Sequence, residues 1–477
     1  MTLESEISSL KILVSSLLSR VSQLESENSA LREENILLRQ ENLELKSRLE
    51  KNSSNSHKPP SSDGYAKKPA IPKTTDKSVG GQLGNVGKTL QMVTSPDLVV
   101  KYHLEICPSC QRNLGESDVI KVGSSHQVFD LPVEKLLITE HQLLVSKCTC
   151  GCQSKAFLPT YLSNSPVQYG PNIKALSVYL NTDFKIPFHK ISNLFGDLYG
   201  YEFNESTAFS ANQQIYQHLQ PIESQIKEEL LQSNVLHADE TGLRCAGSLQ
   251  WLHVASNAFF TYLFVHPKRG KIAIESLQSI LPNFKNYLMH DCWASYFGLS
   301  DAKHLICNAH LIRELQALIE KNSQWAVCMQ KYLLDLFHLS KDTILPKELL
   351  PKYVREFHQI CQRGFAEEPI PIKIEGKKGK IAKSKGRNLL ERLSANQDAI
   401  LSFAFHEGLP FTNNQAERDI RAVKTKQKVS ACFRTVAGAN HYARIQGFIS
   451  TIRKQNQNPF QNLKSVFEKQ FQWADAK

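Results

Sequence analysis

The chain has 477 residues, 41% of them hydrophobic, and a formal net charge of +11 from 57 Lys and Arg against 46 Asp and Glu. It is too long for one ordinary core, so several folded domains are expected, and its charge favours a polyanionic partner, because clustered Lys and Arg release counterions condensed on nucleic acid. Without an N-terminal signal pattern or an apolar run of about 18 residues, secretion and membrane insertion find no support, and a cytoplasmic location is expected.

Residues 1–50 carry a heptad. Leucine recurs at Leu3, Leu10, Leu17, Leu24, Leu31, Leu38 and Leu45, and these d positions make Ile7, Val14, Val21, Asn28, Asn35, Asn42 and Leu49 the a positions. Beta-branched a residues beside Leu at d favour a parallel two-stranded coil, and Asn at a specifies register at a cost in stability. Glu27 with Arg32, Glu34 with Arg39 and Glu41 with Lys46 have the spacing that bridges parallel partners. A homodimer or higher oligomer is the expected state.

Residues 51–93 turn abruptly to Ser, Pro, Gly, Asn and Lys, the composition of a flexible basic linker. Its glycines do not make a nucleotide-binding loop, because Gln82 stands where the first Gly is needed. In 94–165, Cys107-Pro-Ser-Cys110 is followed by Cys148-Thr-Cys150-Gly-Cys152. Two such clusters, joined through expected strands at Gln127-Val-Phe-Asp and Leu136-Leu-Ile-Thr, resemble a zinc ribbon in which four thiolates replace a small core. Cys107, Cys110, Cys148 and Cys150 are the expected structural zinc ligands, with Cys152 as the substitute for Cys150. Residues 166–230 read as helices, either a helix-turn-helix that meets DNA or a helical spacer.

From 231 to 300 the pattern becomes strands. Val235-Leu-His-Ala ends at Asp239-Glu240, two further strands follow, then a helix over 271–280, then Tyr287-Leu-Met-His-Asp291. This is the order of a ribonuclease-H-like core, with two aspartates on adjacent strands. Strand alternation allows only one of Asp239 and Glu240 to face a site. Asp239 is the better candidate, and Glu240 is expected to turn away, so that Glu240→Ala is far milder than the loss of Asp239. Residues 301–405 read as a helical insertion with a basic loop, and 406–477 as the closing helices. In that last segment Asn413 or Asn414 can cap a helix that carries Glu417 in its first turns.

At these residues the chain resembles the insertion-sequence-sixty-six family of bacterial transposases. The resemblance runs through the zipper, Lys58-Pro-Pro-Ser-Ser-Asp-Gly, Gly80-Gly-Gln-Leu-Gly, the cysteine clusters, Ala238-Asp-Glu-Thr, Cys307-Asn-Ala-His310-Leu-Ile-Arg313-Glu and Asn413-Asn-Gln-Ala-Glu-Arg. Asn85 stands where the family usually has His, and Asp291-Cys-Trp replaces its more common Asp-Gly-Tyr. The resemblance implies a multidomain α/β protein: a parallel coiled coil, a zinc ribbon, a helical DNA-binding segment and a ribonuclease-H-like core with a helical insertion. It also implies that Asp239, Asp291 and Glu417 form an acidic triad holding Mg2+, which Mn2+ can replace.

Hard oxygen ligands suit magnesium, and paired ions suit in-line phosphoryl transfer at transposon ends and into target DNA. The expected DNA contacts are Lys377, Lys378 and Lys380, in a stretch (373–387) with seven Lys or Arg and one acid, and Arg418, Arg421, Lys424 and Lys426, which follow Glu417. Accessory transposition proteins are possible partners, and Cys307 with His310 is a further zinc pair or ordinary core. A zinc-and-zipper DNA-binding regulator with an inactive core, or a metal-dependent nuclease without strand transfer, would use many of the same residues.

Overall fold

A computed structural model describes residues 3–49, 92–102, 104–122, 124–129, 136–147, 149–150, 152–341, 343–370 and 383–473. The linker through residue 91, Cys148, Lys377, Lys378 and Lys380 lie outside them. The protein is mixed α/β, with a sheet of mixed direction and helices α1–α14 among the described residues. Two compact units are distinguished, 66–156 with 193–202, and the remainder of the chain.

Helix α1 is Leu3–Leu49. Its seam is uncovered in the single chain: Leu17, Leu24, Leu31 and Leu38 are 49–57% exposed. The side chains of Asn35 and Asn42 donate back to Leu31 O and Leu38 O, one turn earlier.

In the smaller unit the cysteines sit at turns. Cys107 N–H donates to Arg112 O and Gln111 N–H to Cys107 O, which closes a tight turn around Cys110. Backbone N–H groups of Cys110 and Ser109 point at the Cys107 sulfur and lower its pKa. The second cluster lies between antiparallel strands β1 (Val145–Lys147) and β2 (Gln153–Lys155). The described residues of 127–139 form no strand, contrary to expectation. Val93 and Gln127 instead tie their segments together, Val93 N–H donating to Gln127 Oε1 and Gln127 Nε2 to Val93 O, both at 2.8 Å.

In the larger unit, helices α2 (Pro171–Thr182), α4 (Glu205–His218) and α5 (Gln220–Leu231) precede the sheet, while α3 (Phe188–Tyr199) belongs to that unit only through Ser192. Strands β3 (Val235–Cys245), β4 (Ser248–Ser256) and β5 (Thr261–His266) form an antiparallel meander. The expected helix over 271–280 is only α6 (Lys271–Ile274); Ser276 Oγ donates to Ala273 O at its end, and Pro282 follows. Strand β6 (Tyr287–His290) then runs parallel to β3, and β7 (Lys303–Ile306) parallel to β6. The resulting order is β5-β4-β3-β6-β7. Strand β7, four residues long, lies at the start of the stretch expected to be a helical insertion with a basic loop.

Helices α7 (Asn308–Ile319), α8 (Gln324–Ser340), α9 (Leu350–Glu367), α10 (Lys385–Ala395) and α11 (Gln397–Leu401) form their own core around Trp325, Met329, Phe357 and Leu390, continuous with Leu305 and Ile306 of β7. The chain returns to the sheet in α12 (Asn414–Ser430), α13 (Val436–Lys454) and α14 (Pro459–Phe467).

Alternation along β3 sorts its neighbours. Leu236 and Ala238 join a core with Phe284, Leu288 and Tyr296, in which α2, α4 and α5 also bury apolar residues. Leu243 and Cys245, on the other face, pack with Ala416, Ile420 and Val423 of α12. Asp239 shares the parity of Leu243, so it faces α12.

Candidate active site

The paired register of β3 and β6 runs Val235 with Tyr287, Leu236 with Leu288 and His237 with Met289. The same offset carried two residues further brings Asp239, midway along β3 where its parallel pairing with β6 runs out, beside Asp291, which follows β6 at its carboxyl end. That is where open α/β sheets leave a crevice for ligands. Asp291 Oδ1 accepts from Trp293 N–H at 3.0 Å, and Asp239 Oδ1 from Glu240 N–H at 2.8 Å. Burial, followed by the charges of Glu240, Asp291 and Glu417, holds the Asp239 carboxyl well above the usual carboxylate range.

Glu417 enters from the first turn of α12. Asn413 is its N-cap by backbone position, yet its side chain makes no cap bond. Asn413 Nδ2 donates to Ala238 O at 2.8 Å, and the side-chain oxygen meets His237 Nδ1 at 2.9 Å. Asn413 Oδ1 can only accept, so His237 donates from Nδ1, and burial lowers the pKa of that ring. The start of α12 is thereby tied to β3 next to Asp239. This role of Asn413 is not visible in its sequence motif, which suggests only a cap.

Glu417 Oε1 is buried and accepts no hydrogen bond. His310 Nε2 stands 3.8 Å from it and the Arg313 guanidinium 3.9 Å. Among the described residues, Cys307, His310 and Glu417 form a trio of metal-ligating types whose donor atoms all lie within 4.8 Å of one another. A buried carboxylate oxygen lacking a donor, near two further carboxylates, fits residues arranged to share cations. Asp419, two residues on, faces elsewhere: Lys454 Nζ and Ser450 Oγ bond it at 2.7 and 3.2 Å.

Glu240 turns away from Asp239 as alternation requires, but it is not idle. Its side chain is 1% exposed and accepts from Tyr296 Oη and from Arg269, whose Nε lies 2.8 Å away. The Arg269 guanidinium lies 5.1 Å from the Trp251 ring centroid and 4.2 Å from that of Trp293. Glu240 thus anchors a buried network, so its replacement bears on stability and not on the site that Asp239 faces.

The basic face of α12 is narrower than the sequence suggested. Arg418, Arg421 and Lys428 are exposed on one side. Lys424 is half-buried and donates to Gly242 O at 2.7 Å. Lys426 is buried and donates to Asn181 O at 3.1 Å, while Lys185 donates to Thr182 O and Gln446 Oε1. Both ammonium groups satisfy carbonyls at the C-terminus of α2, where cations are favoured. The expectation that Lys426 meets DNA does not survive this placement.

Burial holds Lys185 at about 8, below its ordinary 10.5. A folded-state pKa below the unfolded one means that Lys185 stability is fully present above about 10.5 and lost as pH falls through about 8. Melting temperatures across that window should rise less steeply for Lys185→Met than for the unsubstituted protein; equal slopes would contradict this.

Among the described residues, Cys107, Cys110, Cys150 and Cys152 do not bring three sulfurs within 4.8 Å of one another. No helix among the described residues is long and apolar enough to cross a membrane.

A family model described as Transposase IS66 family matches residues 166–441, well over half of the chain. No curated protein matches it.

Proposed function

The chain belongs to the Transposase IS66 family, so it is a DNA-processing protein of transposition, and we propose that it cuts DNA at transposon ends and joins the ends to target DNA by metal-dependent phosphoryl transfer. The observation that supports this most is the continuing register of β3 and β6, which sets Asp239 beside Asp291, with Glu417 delivered by α12 to the same face of the sheet. The strand order, with three antiparallel strands extended by two parallel ones, favours a ribonuclease-H-like core.

Asp239, Asp291 and Glu417 would hold two magnesium ions, with manganese able to replace them. Such ions supply Lewis-acid polarisation of the phosphodiester and a lowered pKa for the attacking oxygen. The protein's own contribution is placement. Asn413 and His237 fix the start of α12 against β3, and Glu240, Arg269 and Tyr296 brace the strand from behind. Arg418 and Arg421, exposed one turn apart, suit contacts to phosphates beside the cleaved bond. Lys377, Lys378 and Lys380 would extend that contact along the DNA. In the first step a water oxygen attacks phosphorus and the bond to the 3′ oxygen breaks, leaving a 3′ hydroxyl; in the second, that hydroxyl attacks a target phosphorus, the bond from that phosphorus to the target's own 3′ oxygen breaks, and the displaced oxygen takes up the proton as a target 3′ hydroxyl. A strand-transfer assay with matched and mismatched transposon ends tests the reading, and cleavage without joining would favour a plain nuclease.

The zipper and the cysteines supply assembly and end recognition. Pairing of α1 with a second copy would cover the exposed leucine seam. Replacing Asn28, Asn35 and Asn42 with Val should raise the melting temperature and broaden the distribution of oligomers in sedimentation; a monomer before and after would exclude the coil. Structural zinc at Cys107, Cys110, Cys148 and Cys150 is favoured by the turn that aims N–H groups at the Cys107 sulfur. Removing zinc with a chelator should weaken binding to transposon ends, and metal analysis finding no zinc in active protein would refute the assignment.

A further inference from the structure

Glu417 has two neighbourhoods, and the triad uses one of them. Its charge acts on Asp239 on one side and on Cys307 on the other. Cys307 is the N-cap of α7 and is fully buried; His310 lies three residues on, in the first turn of the same helix. That spacing sets both side chains on one side of the helix start. Cys307 is held from two directions: its N–H donates to His290 O at 2.9 Å, and its sulfur accepts from Asn413 N–H at 3.1 Å. An acceptor sulfur, an imidazole and a carboxylate, with donor atoms within 4.8 Å of one another, make a mixed set that differs in kind from the all-oxygen triad.

The geometry points to an inhibitory zinc site at Cys307, His310 and Glu417, in which a Zn2+ ion draws Glu417 away from the catalytic magnesium ions. The competition rests on the reading of Glu417 as a catalytic ligand; the site itself does not. Sulfur and imidazole select zinc over magnesium, which keeps to oxygen ligands. Three protein ligands with a fourth position open to water is a common zinc arrangement. Arg313, 3.9 Å from Glu417 Oε1, offsets the carboxylate charge when no ion is bound there. A carboxylate drawn towards sulfur and imidazole cannot also complete an oxygen site beside Asp239 and Asp291, so zinc would switch off chemistry while leaving DNA contacts in place.

The test uses the full chain and two readouts. Co2+ titration, followed by thiolate-to-cobalt absorption and by metal equivalents bound, compares the unsubstituted protein with Cys307→Ser and His310→Gln. Each substitution should remove one cobalt site, weakening it by at least the roughly 10–100-fold that loss of an outer-shell partner costs. Serine is itself a good N-cap, which protects the fold of Cys307→Ser; should that protein still fail to fold, His310→Gln decides. In the second readout, Zn2+ added to magnesium-supported cleavage should inhibit the unsubstituted protein and spare Cys307→Ser. Identical cobalt uptake by all three proteins would overturn the site, even with cleavage intact. Cobalt uptake as expected but equal zinc inhibition would overturn the competition. If instead Glu417→Ala cleaved normally, the site would stand and the catalytic reading of Glu417 would fall.

Discussion

Proteins carrying Asp239→Ala, Asp291→Ala or Glu417→Ala are expected to fold and to bind transposon-end DNA, yet to lose cleavage and strand transfer together. Each substitution removes an oxygen donor from a site where bound cations contribute several kcal/mol of transition-state stabilisation. At about 1.4 kcal/mol per factor of ten, the loss is on the order of a thousandfold or more. Folding should survive, because the three carboxylates repel one another: burial and the charges of Glu240, Asp291 and Glu417 all push the Asp239 carboxyl towards its neutral form. Manganese should replace magnesium, whereas calcium, larger and looser in geometry, should support DNA binding with little chemistry. Gel assays on pre-nicked and intact ends separate the two steps. Asp419→Ala serves as the control, since Asp419 pairs with Lys454 and Ser450 instead of facing the triad. Full strand transfer by the Glu417→Ala protein would refute the assignment of the third carboxylate.

Much of the framework was legible because it depends on short-range pattern. Alternation along Val235–Cys245 was enough to separate Asp239 from Glu240, and the meander with a returning parallel strand followed from apolar runs and turns. The five-strand sheet was only partly foreseen, since Lys303–Ile306 is four residues long and looks like the lead-in to α7. What the pattern could not give is contact across the chain. Cys307 and Asn413 are 106 positions apart, and nothing local to either motif signals that one sulfur accepts from the other's N–H. Lys426 illustrates the converse. A basic run after a carboxylate looks like a DNA clamp, but a helix has an inner face, and Lys426 lies on it under Asn181 O. Arg418 and Arg421 keep their expected role open because they fall on the outer face.

Glu240→Ala should destabilise the protein by roughly 2–4 kcal/mol while leaving the chemistry of the folded fraction nearly intact, a different outcome from any triad substitution. Tyr296 is fully buried, and alanine would leave its hydroxyl without the carboxylate it donates to. Arg269 would lose both bonds to Glu240, but its side chain is 41% exposed, so water recovers part of that loss and the estimate stays below the cost of breaking a fully buried ion pair. The damage should fall on β3 and its contact with the segment after β6, with the melting temperature dropping by on the order of 5–10 °C. Glu240→Gln should be milder. It preserves shape and an acceptor for Tyr296, and it removes a carboxylate that burial already disfavours in its charged form. The decisive comparison is cleavage per folded molecule at a temperature where both variants remain folded. Near-normal cleavage by Glu240→Ala there, beside a lowered melting temperature, would mark Glu240 as a brace behind the active face; a thousandfold loss with unchanged stability would make it a metal ligand and reverse the facing of β3.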